Sequence, residues 1–106
     1  MRSKLIALCL ALAAMPGMAF AAGEGNAQAG KVKSATCLGC HGVEGYRNAY
    51  PSYHVPKLAG QNEQYLVSAL QAYKSGKRSF KTMQAQASAL SEQDIKDIAA
   101  YFAQLK

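Results

Sequence analysis

Cys37-Leu38-Gly39-Cys40-His41 places two thiols and an imidazole within five residues. On a helical turn, residues i, i+3 and i+4 share one face, so these three side chains would converge on one object. The chemistry that suits them is haem attachment of the c type, in which two thiols add across porphyrin vinyl groups and the histidine ligates the iron. Small Gly39 between the cysteines would keep the backbone from crowding the ring. Three other uses of the same residues compete. A thioredoxin-like C-x-x-C needs a βαβ pattern, and no strand-like alternation surrounds this one. A structural zinc site would have to use Cys37, Cys40, His41 and His54, which asks adjacent Cys40 and His41 to reach one tetrahedral ion. A plain disulfide leaves His41 without a role.

The N-terminus reads as an export signal over residues 1–21. Arg2 and Lys4 supply a positive start, 5–14 is an unbroken apolar run, Pro16-Gly17 interrupts it, and Ala19-Phe20-Ala21 has the A-x-A form of a cleavage site. An uncleaved membrane anchor is the competing reading, but ten apolar residues are too few to span a bilayer. Cleavage leaves one domain over 22–106. Cys9 leaves with the leader, and the remainder keeps Cys37, Cys40, His41, His54 and a single methionine, Met83. At about 85 residues an apolar core alone is marginal, so a covalently held cofactor at its centre makes physical sense.

Without Arg2 and Lys4 the chain carries ten cations against six acids. So modest a charge on an exported chain disfavours nucleic acid as a partner. Lys74, Lys77, Arg78 and Lys81 fall within eight positions just before Met83. They are either a solvated loop beside a helix C-terminus or a surface for acidic partners.

Helical periodicity accounts for most of the remainder. Residues 25–36 read as a first helix running into the cysteines, with Asn26 as N-cap and Gly30 at a close helix contact. A second is capped by Asn62, repeats Tyr65, Leu66, Ala69, Leu70 and Tyr73, and stops at Gly76. A third starts at Ser91-Glu92-Gln93-Asp94, a capping-box sequence. It presents Ile95, Ile98, Ala99, Phe102 and Leu105 on one face and turns Asp94, Lys96, Asp97 and Gln104 outward. One short extra turn is expected over 84–89. Between the first two helices, 42–57 is broken by Gly42, Gly45, Asn48, Pro51 and Pro56 and weighted by Tyr46, Tyr50 and Tyr53. It reads as a loop around an apolar object. No stretch reads as a strand, so the class is all-α: three main helices and loops.

Several of these segments together resemble the class I c-type cytochromes, above all small soluble bacterial ones and one half of the dihaem bacterial type. They are the pentapeptide with Gly42, Pro56-Lys57-Leu58-Ala59-Gly60-Gln61, Tyr65-Leu66, Tyr73-Lys74-Ser75-Gly76-Lys77-Arg78, Met83, and Leu90-Ser91-Glu92-Gln93-Asp94-Ile95 through Ala99-Ala100-Tyr101-Phe102. The resemblance implies one haem c, with thioethers from Cys37 and Cys40, iron ligated by His41 and Met83, and the Pro56 carbonyl fixing the His41 ring. It also implies that Gly30 and Tyr101 sit where the first and last helices cross. The 42–55 segment departs from the compact members, being a few residues longer and richer in tyrosine.

Residue inventory bears on the second ligand too. His54, the spare imidazole, precedes Pro56 on the segment expected to buttress the His41 side, so it would have to swing to the opposite face. Met83 could instead be a flexible core filler, but its neighbours Thr82, Gln84 and Gln86 are polar. Histidine and methionine together favour ferrous iron and leave no open position for substrate. The expected function is therefore a periplasmic one-electron carrier rather than an enzyme, docking transiently with redox proteins and not inserted in a membrane. Two alternatives remain: an electron-accepting subunit of a larger periplasmic dehydrogenase, and a peroxidase-like or gas-binding haem protein with an open sixth position.

Overall fold

A computed structural model describes residues 24–50 and 52–106; the leader expected over 1–21 lies outside them. The described elements run α1 (Ala27–Lys33), α2 (Ala35–His41), β1 (Arg47–Asn48), β2 (Tyr53–His54), α3 (Glu63–Lys74), α4 (Lys81–Ser88) and α5 (Glu92–Gln104). Among the described residues no helix is long and apolar enough to cross a membrane.

The caps lie where short polar side chains predict them. Asn26 Oδ1 accepts from Ala29 N–H at 3.0 Å and Asn62 Oδ1 from Tyr65 N–H at 2.9 Å. At α5 the box is reciprocal: Ser91 Oγ accepts from Asp94 N–H and Asp94 Oδ2 from Ser91 N–H. Gly76 ends α3 with φ +82°, a left-handed conformation that glycine adopts without Cβ strain.

The first helix is two segments rather than one. Ser34 interrupts it: the side chain is fully buried, and its hydroxyl donates back to the Lys31 carbonyl at 3.2 Å. Such back-bonding competes with the regular ladder and bends helices. The extra turn near 84–89 is a full helix, α4, and it includes Met83. The expectation of no strand is also corrected. Within the tyrosine-rich segment β1 and β2 pair antiparallel, Arg47 opposite His54 and Asn48 opposite Tyr53. Pairs this short carry too little alternation to be read from sequence.

The core is small and sits between α3 and α5. Leu66 and Val67 meet Ile95, Ile98, Ala99 and Phe102, all buried. Tyr65, expected on the α3 core face, is 51% exposed, and Val67 takes its place. α1 packs across α5 almost backbone to backbone. A Cβ on Gly30 would run into the Asp97 carbonyl and approach Tyr101 Cβ at 2.9 Å, and one on Gly25 would strike the Lys96 carbonyl. Gly30 and Tyr101 thus meet at the helix crossing.

Asp97 does not point outward. It is 3% exposed, and it accepts from Asn26 N–H at 2.8 Å, Lys33 Nζ at 2.6 Å and Gln93 Nε2 at 2.8 Å. The row Gln93, Asp97, Tyr101 at i, i+4, i+8 is a second stripe turned toward α1, exposed at Gln93, buried at Asp97 and half-buried at Tyr101, which a single apolar-face reading of α5 overlooks.

Candidate functional site

α2 carries Cys37, Cys40 and His41, all half-buried, and closes with the Gly42 N–H donating to the Leu38 carbonyl at 3.0 Å. Gly42 has to be small, because a Cβ there would lie 2.6 Å from that carbonyl oxygen. Gly39 is different: a Cβ on it meets no protein atom within 4 Å, so the polypeptide itself sets no demand for glycine there. Cys37 and Leu38 pack against the α3/α5 core, so α2 presents its reactive face from a fixed base.

Burial pushes the Cys37 thiol up, and Cys40 adds to the rise while the Thr36 hydroxyl opposes it. A dithiol redox motif does the reverse, stabilising the thiolate of its attacking cysteine. Both cysteines are free thiols. His54 lies exposed on β2, opposite Arg47, and among the described residues no three His, Cys, Asp or Glu side chains are grouped to hold a metal ion. The thioredoxin-like and zinc readings therefore lose their support.

His41 is oriented by a hydrogen bond to the chain. Its Nδ1–H donates to the Pro56 carbonyl oxygen at 2.8 Å. That bond fixes the tautomer and leaves Nε2 as the nitrogen able to ligate. The Pro56 carbonyl is itself held on both sides. Val55 is buried with its N–H on the Tyr46 carbonyl at 3.0 Å, and Gly60 N–H reaches the Phe102 carbonyl at 2.9 Å. Gly60 makes that turn at φ +76°. The His41 ring is thereby referenced, through one short segment, to the end of α5.

Met83 occupies the first turn of α4 and is half-buried. Two contacts, absent from the sequence reading, lie beside it. The Tyr53 and Phe80 rings meet edge to face at 4.7 Å and 87°, and the Tyr53 hydroxyl lies 3.4 Å from Thr82 Oγ1. In the basic cluster, Lys74 Nζ donates to the Leu90 carbonyl and the Arg78 guanidinium stacks 4.6 Å over the Tyr73 ring. Of two open surface hollows of about 520 Å³, one lies beside Glu24 and Glu63 and the other runs along α3, lined in part by Lys74 and Lys77 of the basic cluster.

The donor set fits haem c. It combines two thiols at i and i+3, an imidazole with one nitrogen occupied and one left, and a thioether on a separate helix. Leu38, Leu58, Leu70 and Leu90 pack on the core yet stay only partly buried, as side chains sharing an apolar group would.

A family model described as cytochrome c matches residues 27–106. Cytochrome c4 of Pseudomonas aeruginosa is 44% identical over 106 residues, which is 100% of this chain and 50% of that protein. Cytochrome c-554(548) of Halomonas halodenitrificans is 44% identical over 81 residues, 74% of this chain and 94% of that protein. The crystal structure of reduced recombinant cytochrome c4 from Pseudomonas stutzeri superposes with a TM-score of 0.64 at 43% identity, covering 77% of this chain and 46% of that one. The chain spans about half the length of the cytochrome c4 relatives it matches.

Proposed function

The chain belongs to the cytochrome c family, whose members hold haem c covalently, and from that premise we propose that it is a periplasmic one-electron carrier with a single haem and His41/Met83 ligation. When bound, the haem supplies an iron that alternates between ferric and ferrous. Everything else is the work of the chain. Cys37 and Cys40 provide the thioether anchors from one helical face, and His41 offers Nε2 while Pro56 holds its other nitrogen at 2.8 Å. That hydrogen bond is the observation that carries the reading, since a fixed, more basic imidazole is what axial ligation requires. Met83 is favoured over His54 because it is half-buried on a separate helix, whereas His54 is exposed on the strand leading to Pro56. With His41 and Met83 both holding the iron, the bound haem would pass electrons and would offer no open site to a substrate. Export with cleavage after Ala21 would deliver this chain, without its leader, to the periplasm.

The test separates a carrier from a haem protein with an open sixth position. The purified reduced protein is expected to bind carbon monoxide slowly or incompletely and to titrate as one reversible one-electron couple. Rapid, stoichiometric carbon monoxide binding at neutral pH would overturn the carrier reading.

The basic cluster is proposed as the docking face. Lys81 begins α4, whose first turn holds no acidic residue, so a cation sits at the positive end of the helix dipole. A locally unfavourable choice of this kind points to use rather than stability. Electron transfer with an acidic redox protein should therefore slow about tenfold as ionic strength is raised from a few millimolar to physiological levels. Stopped-flow rates across a salt series check this; rates with no salt dependence would remove the cluster from the docking face.

A further inference from the structure

α4 is poorly equipped to fix its own start. It has eight residues, Phe80 at its N-cap makes no side-chain capping bond, and Lys81 opposes the dipole. Helices of that length are marginal without tertiary support. At the far end Ala87 is fully buried and anchors the helix. At the near end, where Met83 sits, the contacts come from β2. The Tyr53 ring meets Phe80 edge to face at 4.7 Å, and its hydroxyl lies 3.4 Å from Thr82 Oγ1, so the residues flanking Lys81 both touch one side chain. Three residues after Tyr53, the segment that leaves β2 delivers the Pro56 carbonyl to His41.

We propose that Tyr53 is a positioning residue for Met83, holding the uncapped start of α4 so that the thioether stays on the iron. The inference rests on Met83 being the ligand. It makes the β1–β2 hairpin and the residues that follow it a strap with one support for each ligand, Pro56 for His41 and Tyr53 for Met83. Its tyrosine-rich character then has a mechanical use.

Ferric holoprotein titrated with imidazole reads the strength of the Met83 bond directly, because imidazole must displace the thioether. Tyr53→Ala should raise the apparent imidazole affinity about tenfold, the size of an edge-to-face ring pair. It should also weaken the far-red sulfur-to-iron band at temperatures where circular dichroism still reports a folded chain. Phe80→Ala should reproduce the effect, and Tyr53→Phe, which keeps the ring, should fall nearer wild type. If Tyr53→Ala does not fold, the Phe80→Ala and Tyr53→Phe pair decides. Wild-type imidazole affinity and band in the folded variants would overturn the positioning role while leaving Met83 as ligand. A wild-type protein lacking the far-red band would instead overturn the Met83 ligation, and this inference with it.

Discussion

Met83→Ala is expected to abolish the far-red sulfur-to-iron band of the ferric protein and to lower the reduction potential by on the order of 100 mV, part of the roughly 0.8 V span over which axial ligands set haem potentials. A thioether is a soft, uncharged donor that favours ferrous iron, so its removal destabilises the reduced state more than the oxidised one. The vacated position should also let the ferrous variant take carbon monoxide rapidly where the parent does not. The fold should survive. Met83 is half-buried on an exposed helix whose anchor, Ala87, is untouched, and alanine is the better helix former, so the stability change should stay within about 1 kcal/mol. Potentiometric titration with optical detection reads band and potential in one experiment. If both are unchanged, Met83 is not a ligand, and His54→Ala becomes the variant to measure.

The parts of this chain that could be read in advance are those where one residue type has one local job. Asn26, Asn62 and Ser91 cap because a short acceptor beside bare N–H groups has few other uses, and the structure puts each on its predicted donor. The pentapeptide was legible for the same reason, its spacing being a helical face. What escaped depends on partners distant in sequence. Nothing near Ser34 announces that it is buried and will split the first helix. The β1–β2 pairing has two residues a side, below any periodicity. Tyr53 lies nearly 30 positions from Phe80 and Thr82, and a tyrosine in a loop carries no sign of what it will touch. Asp97 escapes as well, because a charged residue beside Asp94 and Lys96 looks like part of a solvated face until α1 is laid across it.

Asp97 also carries the largest expected loss of stability. Its carboxylate is 3% exposed and gathers Asn26 N–H, Gln93 Nε2 and Lys33 Nζ, so it ties the cap of α1 to the middle of α5. Burial alone would push its pKa up; the Asn26, Lys33 and Gln93 donors outweigh that and hold it below the usual carboxylate range. Asp97→Ala strands the Asn26 N–H and lets water or a void into a helix crossing built on glycine contact. A loss of about 3 kcal/mol follows, worth roughly 10–20 °C in thermal midpoint for a domain of this size. Lys33→Met should cost far less. The Lys33 side chain is one third exposed, and with it gone the carboxylate keeps two donors, so the ion pair matters less than the acceptor. The pH dependence has a definite sign. Asp94 falls from 3.8 to about 2 chiefly through Lys33, then Ser91, and Asp97 is lowered as well. Groups depressed on folding contribute stability above their unfolded pKa and lose it as pH falls through the folded value. The parent should hold a constant midpoint from neutrality to about pH 4 and lose stability between about pH 4 and 2. In Asp97→Ala that acid slope should be shallower from an already lower plateau. Equal midpoints for Asp97→Ala and Lys33→Met at pH 7 would show that the ion pair, rather than the buried acceptor, fastens α1 to α5.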